Sequence, residues 1–190
     1  MLKRVYIFSI FAGVIFFSGF VVILPTFTTN NISKIALDKE IDLPLILNDE
    51  KEIKFIFFGY SGCRDICTPR LHSLQTFYNT LDTNLKNKIG VEFIDISTPQ
   101  DTTLPDRFAT FFHEDFKGIY LDADIRREYT KAFNVYFAPS INDKTEFDHT
   151  AALYMVQKKS DKKIIKFVYN AYPYDFKQIQ IDIKELLNEQ

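Results

Sequence analysis

The run Ile53–Gly59, IKFIFFG, is apolar at nearly every position and has the length of a strand. Such a run suits a strand buried on both faces. A strand of that kind needs cover above and below, which commits the chain to a layered sheet. The downstream sequence has the matching rhythm. A loop containing glycine and cysteine, Tyr60–Cys67, leads into a helix expected over Cys67–Lys88. Leu71, Leu74, Phe77, Tyr78, Leu81 and Leu85 fall at helical period there, and Pro69 sits in the first turn, where proline is tolerated. VEFIDI (Val91–Ile96) reads as the next strand, and a loop rich in Thr, Pro and Asp (Ser97–Pro105) precedes a helix near Asp106–Phe112. Ile119–Leu121 is a brief strand, Asp124–Phe133 a helix, and Val135–Phe137 the start of a return. Thr150–Val156 and Ile164–Tyr169 read as strands joined by the charged turn QKKSDKK, and Asp175–Leu187 as an amphipathic helix. The sheet begins parallel and ends in an antiparallel hairpin, an α/β order that fits a thioredoxin-like fold. In such folds the loop after the first central strand carries the reactive residues at a helix N-terminus.

Ahead of this region, Val5–Leu24 (VYIFSIFAGVIFFSGFVVIL) carries no charge. At about 1.5 Å per residue it spans roughly 30 Å, the thickness of a bilayer's hydrocarbon core. Lys3 and Arg4 precede it and by the positive-inside tendency stay in the cytoplasm. The expected organisation is a cytoplasmic stub (1–4), a transmembrane helix (5–24), a linker (25–40) and one domain (41–190). A cleaved signal peptide is the alternative. The stretch exceeds an h-region of roughly 7–15 residues, and no clean A-x-A-like site precedes Pro25. No Arg- and Ser-rich transit peptide precedes the span, which points to a single-pass protein of a bacterial inner membrane with its domain in the periplasm. The net charge of −2 offers no basic excess for a nucleic-acid backbone, so that partner is set aside.

The chain has two cysteines, Cys63 and Cys67, both in the loop between the buried strand and the helix. If the segment is helical, positions i and i+4 share a face and two sulfurs can point at one ion. The partial positive charge of a helix N-terminus lowers thiol pKa, and Arg64 adds a further positive charge. Thiolate is the form that binds metal, and soft sulfur selects Cu(I). The plain alternative is a disulfide staple. A loop this short contributes only about 2 kcal/mol before strain, and a domain of this size does not need it.

Three histidines are available. His72 lies about 140° around the helix from Cys67 and should point elsewhere. His113 sits near a helix end, where a solvated or capping role is adequate. His149 opens the expected strand His149–Val156, and at the end of a strand beside the cysteine loop it can supply a nitrogen. Two sulfurs and one imidazole suit three-coordinate Cu(I) and can also hold Cu(II).

FFGYSGCRDICTP (Phe57–Pro69), VEFIDI with Asp101-Thr102 downstream, KAFNVYF (Lys131–Phe137) and DHTAALYMV (Asp148–Val156) together resemble the Sco/SenC family of copper proteins, over about residues 41 to 190. C-x3-C alone is a weak signal; joined to Asp148-His149-Thr150 far downstream and an N-terminal span, it is specific. The resemblance implies a thioredoxin fold with Cys63, Cys67 and His149 as ligands of Cu(I)/Cu(II). It also implies a copper metallochaperone that helps build the dinuclear copper A centre of cytochrome c oxidase, with subunit II or another copper protein as partner. There are departures: Arg64 and Thr68 stand where the family usually has proline, and the S-V-D-P-E segment reads Asp95-Ile-Ser-Thr-Pro99. Two other functions fit the cysteine pair. One is a thiol–disulfide oxidoreductase with Cys63 as nucleophile and Cys67 as resolving thiol; the other is a redox or copper sensor. A peroxidase of the peroxiredoxin type lacks its T-x-x-C turn. The copper reading stands only if the His149 imidazole comes within reach of both sulfurs.

Overall fold

The computed structural model describes residues 33–43, 51–141, 146–160 and 162–188. The expected membrane helix at 5–24 lies outside them, and no helix among the described residues is long and apolar enough to cross a membrane. The strands are β1 (Lys34–Ile41), β2 (Ile53–Gly59), β3 (Ile89–Asp95), β4 (Phe116–Tyr120), β5 (Phe137–Pro139), β6 (Phe147–His149), β7 (Leu153–Lys159) and β8 (Lys162–Tyr169). The helices are α1 (Cys67–Thr80), α2 (Thr83–Lys88), α3 (Leu104–Phe112), α4 (Ala123–Phe133) and α5 (Phe176–Asn188).

Six strands form one sheet in the order β1-β8-β7-β2-β3-β4, and β5 pairs with β6 in a small separate sheet. β2 runs parallel to β3 and antiparallel to β7, so the expected mixed sheet is present with IKFIFFG at its centre. Both β2 and β3 are buried at every position. The period-2 alternation of a strand explains how one run serves two layers. Phe55 points to one face, where its ring meets Phe77 of α1 edge-on at 6.4 Å, and Phe77 in turn stacks on Phe176 of α5 at 4.6 Å. Phe58 points to the other face and packs on Phe133 of α4 at 5.1 Å. Each such ring contributes roughly 1.5–3 kcal/mol by leaving water.

Three expectations are corrected. The helix read over Cys67–Lys88 is two helices: α1 stops at Thr80, Leu81 is extended and buried, and Asp82 caps α2 by accepting from the Leu85 N–H at 2.9 Å. The apolar period continued through the break because Leu81 still faces the core. The linker read through residue 40 ends sooner, since Lys34–Ile41 is β1 and pairs antiparallel with β8. The strand read from His149 to Val156 is also two. β6 ends at His149 and pairs with β5, whereas β7 begins at Leu153 and pairs with β2 and β8. Between them the Thr150 N–H donates to the Tyr136 carbonyl at 2.9 Å, and Thr150 Oγ1 accepts from the Tyr136 N–H at 3.0 Å.

Candidate metal centre

The site lies at the C-terminal end of β2. The chain leaves the strand at Gly59 and turns through Tyr60–Ile66 into α1, with Gly62 at φ +93° supplying the left-handed step. Cys63 is not on the helix. It precedes α1 and serves its first turn: its sulfur accepts from the Cys67 N–H at 3.3 Å, and its carbonyl accepts from the Thr68 N–H at 3.2 Å and from Thr68 Oγ1 at 2.7 Å. The two sulfurs therefore converge through a turn, not along one helix face as the i, i+4 spacing suggested. Cys67 opens α1, and Pro69 falls in its first turn as expected.

Close approach makes Gly59 part of the site. A Cβ there would come 2.5 Å from Cys67 Sγ and 2.9 Å from Phe93 Cε2. The cysteine occupies the space that a side chain on the strand would fill. Behind it, Asp95 at the end of β3 is wholly buried. One of its oxygens accepts from the Ser61 N–H (2.9 Å) and hydroxyl (2.5 Å), the other from the Ser97 N–H (2.7 Å) and hydroxyl (2.5 Å). One carboxylate thus ties the cysteine turn to the loop after β3.

His149 reaches the same place from the β5–β6 hairpin. Its Nε2 stands 3.7 Å from Cys67 Sγ. Its Nδ1 lies 3.1 Å from the Thr150 carbonyl oxygen, which can only accept, so Nδ1 carries a proton and Nε2 is the nitrogen turned to the sulfurs. The imidazole is held edge-on by Phe57 (6.5 Å) and Tyr60 (6.0 Å). The donor atoms of Cys63, Cys67 and His149 all lie within 4.8 Å of one another. Around a three-coordinate ion with bonds of roughly 2.0–2.3 Å, donors sit about 3.5–4 Å apart, so the trio fits a metal after a sub-ångström contraction.

The two cysteines are free and buried, and their protons are unequal. The Cys67 thiol beside it, helped by the His149 imidazole and by the backbone N–H groups of Cys67 and Ile66, holds the Cys63 thiol well below the usual thiol range against the cost of burial. Cys67 is pushed up by its neighbour's negative sulfur and by burial. The helix start thus assists Cys63 as expected, but Arg64 points to solvent and is not among the main causes.

The other histidines stand apart. His72 is exposed and lines a groove with Pro69, Phe77 and Tyr172. His113 packs edge-on to Tyr78 at 4.9 Å, and its Nδ1 accepts from the Asp115 N–H. Gly59, Tyr60 and Asp95 were not singled out from sequence. The glycine between an apolar strand and a cysteine loop, and an acidic residue closing the adjacent parallel strand, were the signals available.

Fold and site together define a thioredoxin-like domain with a Cys–Cys–His cluster that could hold a metal ion at a strand–helix junction. The SCO1/SenC family model matches residues 50–188, and the chain belongs to that family. An SCO2-like protein of Rickettsia conorii is 26% identical over 134 residues, which is 65% of this chain and 63% of that protein. The chain thus spans under two thirds of the length of that curated relative. The solution structure of apo Sco1 from Thermus thermophilus is similar at a TM-score of 0.62 and 22% identity, covering 83% of this chain and 95% of that one. Yeast Sco1 with copper bound is similar at a TM-score of 0.59 and 24% identity, covering 73% of this chain and 77% of that one.

Proposed function

We propose that this protein is a copper metallochaperone that holds Cu(I)/Cu(II) on Cys63, Cys67 and His149 and passes it to the copper A centre of cytochrome c oxidase. The observation that carries the reading is the convergence of these three donors within 4.8 Å, from two separate parts of the chain. The donor set is chemically selective. Two sulfurs favour a soft ion, one imidazole completes a trigonal set, and the low coordination number leaves room for an incoming partner ligand. Membership of the SCO1/SenC family and the likeness to a copper-bound Sco1 support the choice of copper. Residues 5–24 would tether the domain to a bacterial inner membrane on its periplasmic side, where copper centres are assembled.

The test is copper loading of the reduced protein, followed by X-ray absorption to count ligands. One equivalent of Cu(I) on two sulfurs and one nitrogen is expected. His149→Ala should keep the sulfurs and lose the nitrogen, and Cys63→Ser with Cys67→Ser should abolish loading. Less than half an equivalent bound, or a His149→Ala spectrum identical to wild type, overturns the reading.

A thiol–disulfide reductase is the second reading, favoured by the lowered pKa of Cys63. Against it, C-x3-C differs from the C-x-x-C of thioredoxins, and a reductase gives the convergent His149 no necessary task. A reduction potential far below that of a partner disulfide, together with little copper affinity, would favour the reductase; tight Cu(I) binding that needs His149 favours the chaperone.

A further inference from the structure

The centre joins two parts that are far apart in the chain. Both sulfurs belong to the turn between β2 and α1, whereas the imidazole rides on β6. That hairpin is small: its strands are three residues each, with Phe137 opposite His149. A two-stranded ribbon of this size is marginal by itself, so side-chain anchors must set its position.

We propose that Tyr60 and Glu146 form a latch that positions His149 over the two sulfurs, and that opening it frees the imidazole while leaving the cysteine pair in place. The Tyr60 hydroxyl donates to the Glu146 carboxylate, which stands directly ahead of β6. Its ring packs against Phe147 at 5.5 Å and edge-on against His149 at 6.0 Å. One side chain therefore touches three residues of the segment that carries the ligand. Glu146 is itself bound into the hairpin, because its carbonyl accepts from the Ser140 N–H at 2.9 Å. On the other side, the Tyr60 carbonyl accepts from the Cys63 N–H at 3.2 Å. Tyr60 is thus a mechanical link between the cysteine turn and the histidine hairpin.

The chemistry of the pair suits that task. Tyr60 is 7% exposed, so its hydroxyl has little water to turn to and is committed to the Glu146 carboxylate. A hydrogen bond to an ionised acceptor is roughly twice as strong as a neutral one. If the metal is handed on by ligand exchange, His149 is the ligand on the separable part, and the latch governs how readily it leaves. This consequence rests on the copper reading; the positioning itself does not.

The test uses the full-length reduced protein and the variants Tyr60→Phe, Glu146→Ala and Glu146→Gln. The first readout needs no metal. With histidine labelled for NMR, Tyr60→Phe and Glu146→Ala should shift or broaden the His149 ring signals and leave those of His72 and His113 unchanged. The second readout is Cu(I) transfer to a chelator. Tyr60→Phe and Glu146→Ala should release the ion about tenfold faster, with both sulfur ligands retained, and Glu146→Gln should restore part of the loss through its neutral acceptor. An unchanged His149 signal in both Tyr60→Phe and Glu146→Ala overturns the latch, and so does release within about twofold of wild type from a protein that binds through a nitrogen. If wild type binds no Cu(I) through nitrogen, the copper reading fails, and the metal-free His149 signals still decide the positioning. Should Tyr60→Phe fail to fold, Glu146→Ala, at a half-buried position outside the main sheet, carries the same two readouts.

Discussion

Three donors meet, and the two sulfurs among them hold their protons differently. Cys63 has a lowered pKa and is held as thiolate by the Cys67 thiol, whereas Cys67 keeps its proton because a second negative sulfur in a buried site is costly. The His149 Nδ1 donates to the Thr150 carbonyl, which leaves Nε2 as the nitrogen facing the sulfurs. A metal that takes both sulfurs as thiolates must therefore displace one proton, from Cys67. The sign comes from linkage: binding that releases a proton tightens as pH rises. Apparent Cu(I) affinity should increase about tenfold per pH unit across the neutral range. Calorimetry in buffers of different ionisation enthalpy reads the proton count directly. One proton is expected for wild type and almost none for Cys67→Ser; release of two protons by wild type would show that Cys63 rests as a thiol.

At the scale of elements, the site is built where β2 and β3 end together and α1 begins. The buried carboxylate of Asp95 secures that junction through two hydrogen bonds from each of Ser61 and Ser97. Asp95→Asn replaces one accepting oxygen by an amide that donates, leaving one serine's N–H and hydroxyl facing a donor. The expected cost is about 2–3 kcal/mol of folding stability, and Ser61→Ala should cost less because its N–H bond survives. Denaturant unfolding measures both, and an Asp95→Asn protein as stable as wild type would mean that the carboxylate clamps nothing. The junction was largely legible in the sequence. IKFIFFG announced a doubly covered strand, and a cysteine loop leading to a helix came directly after it. The hairpin was not legible. Its strands are too short for an alternating pattern to register, and its pairing partner, β5, lies before an intervening loop. His149 was therefore read as the first residue of β7 when it is the last of β6. It still reached the cysteines, because β7 lies beside β2 and the chain enters β7 at the same end of the sheet.

At the scale of the whole molecule, the described sheet is closed on one side by β1, a strand whose residues from Ile35 to Glu40 are exposed. Exposure is why the segment read as a tether: an edge strand with little to bury has no hydrophobic alternation to display. It is anchored nonetheless. The Lys34 ammonium lies 2.6 Å from Asp182 of α5, a carboxylate wholly buried that also accepts from the Tyr169 hydroxyl of β8 at 2.6 Å and from Gln178 Nε2 at 2.9 Å. Without β1, Asp182 loses its cation and β8 becomes an open edge, the arrangement that invites pairing with another chain. Removing a partner from a buried charge costs about 3–5 kcal/mol, less where the partner is partly exposed as Lys34 is. An internal deletion of residues 34–41 should therefore lower the unfolding free energy by about 3 kcal/mol or more and raise the tendency to self-associate, while Lys34→Ala alone should lower it by about 1–2 kcal/mol. Thermal unfolding and sedimentation read the two effects. A deleted protein that is monomeric and unfolds like wild type would mean that β1 is the tether its sequence suggests. The metal centre, at the end of the central strand β2, separated from β1 by β7 and β8, should keep its copper stoichiometry in Lys34→Ala, because the damage is confined to the edge.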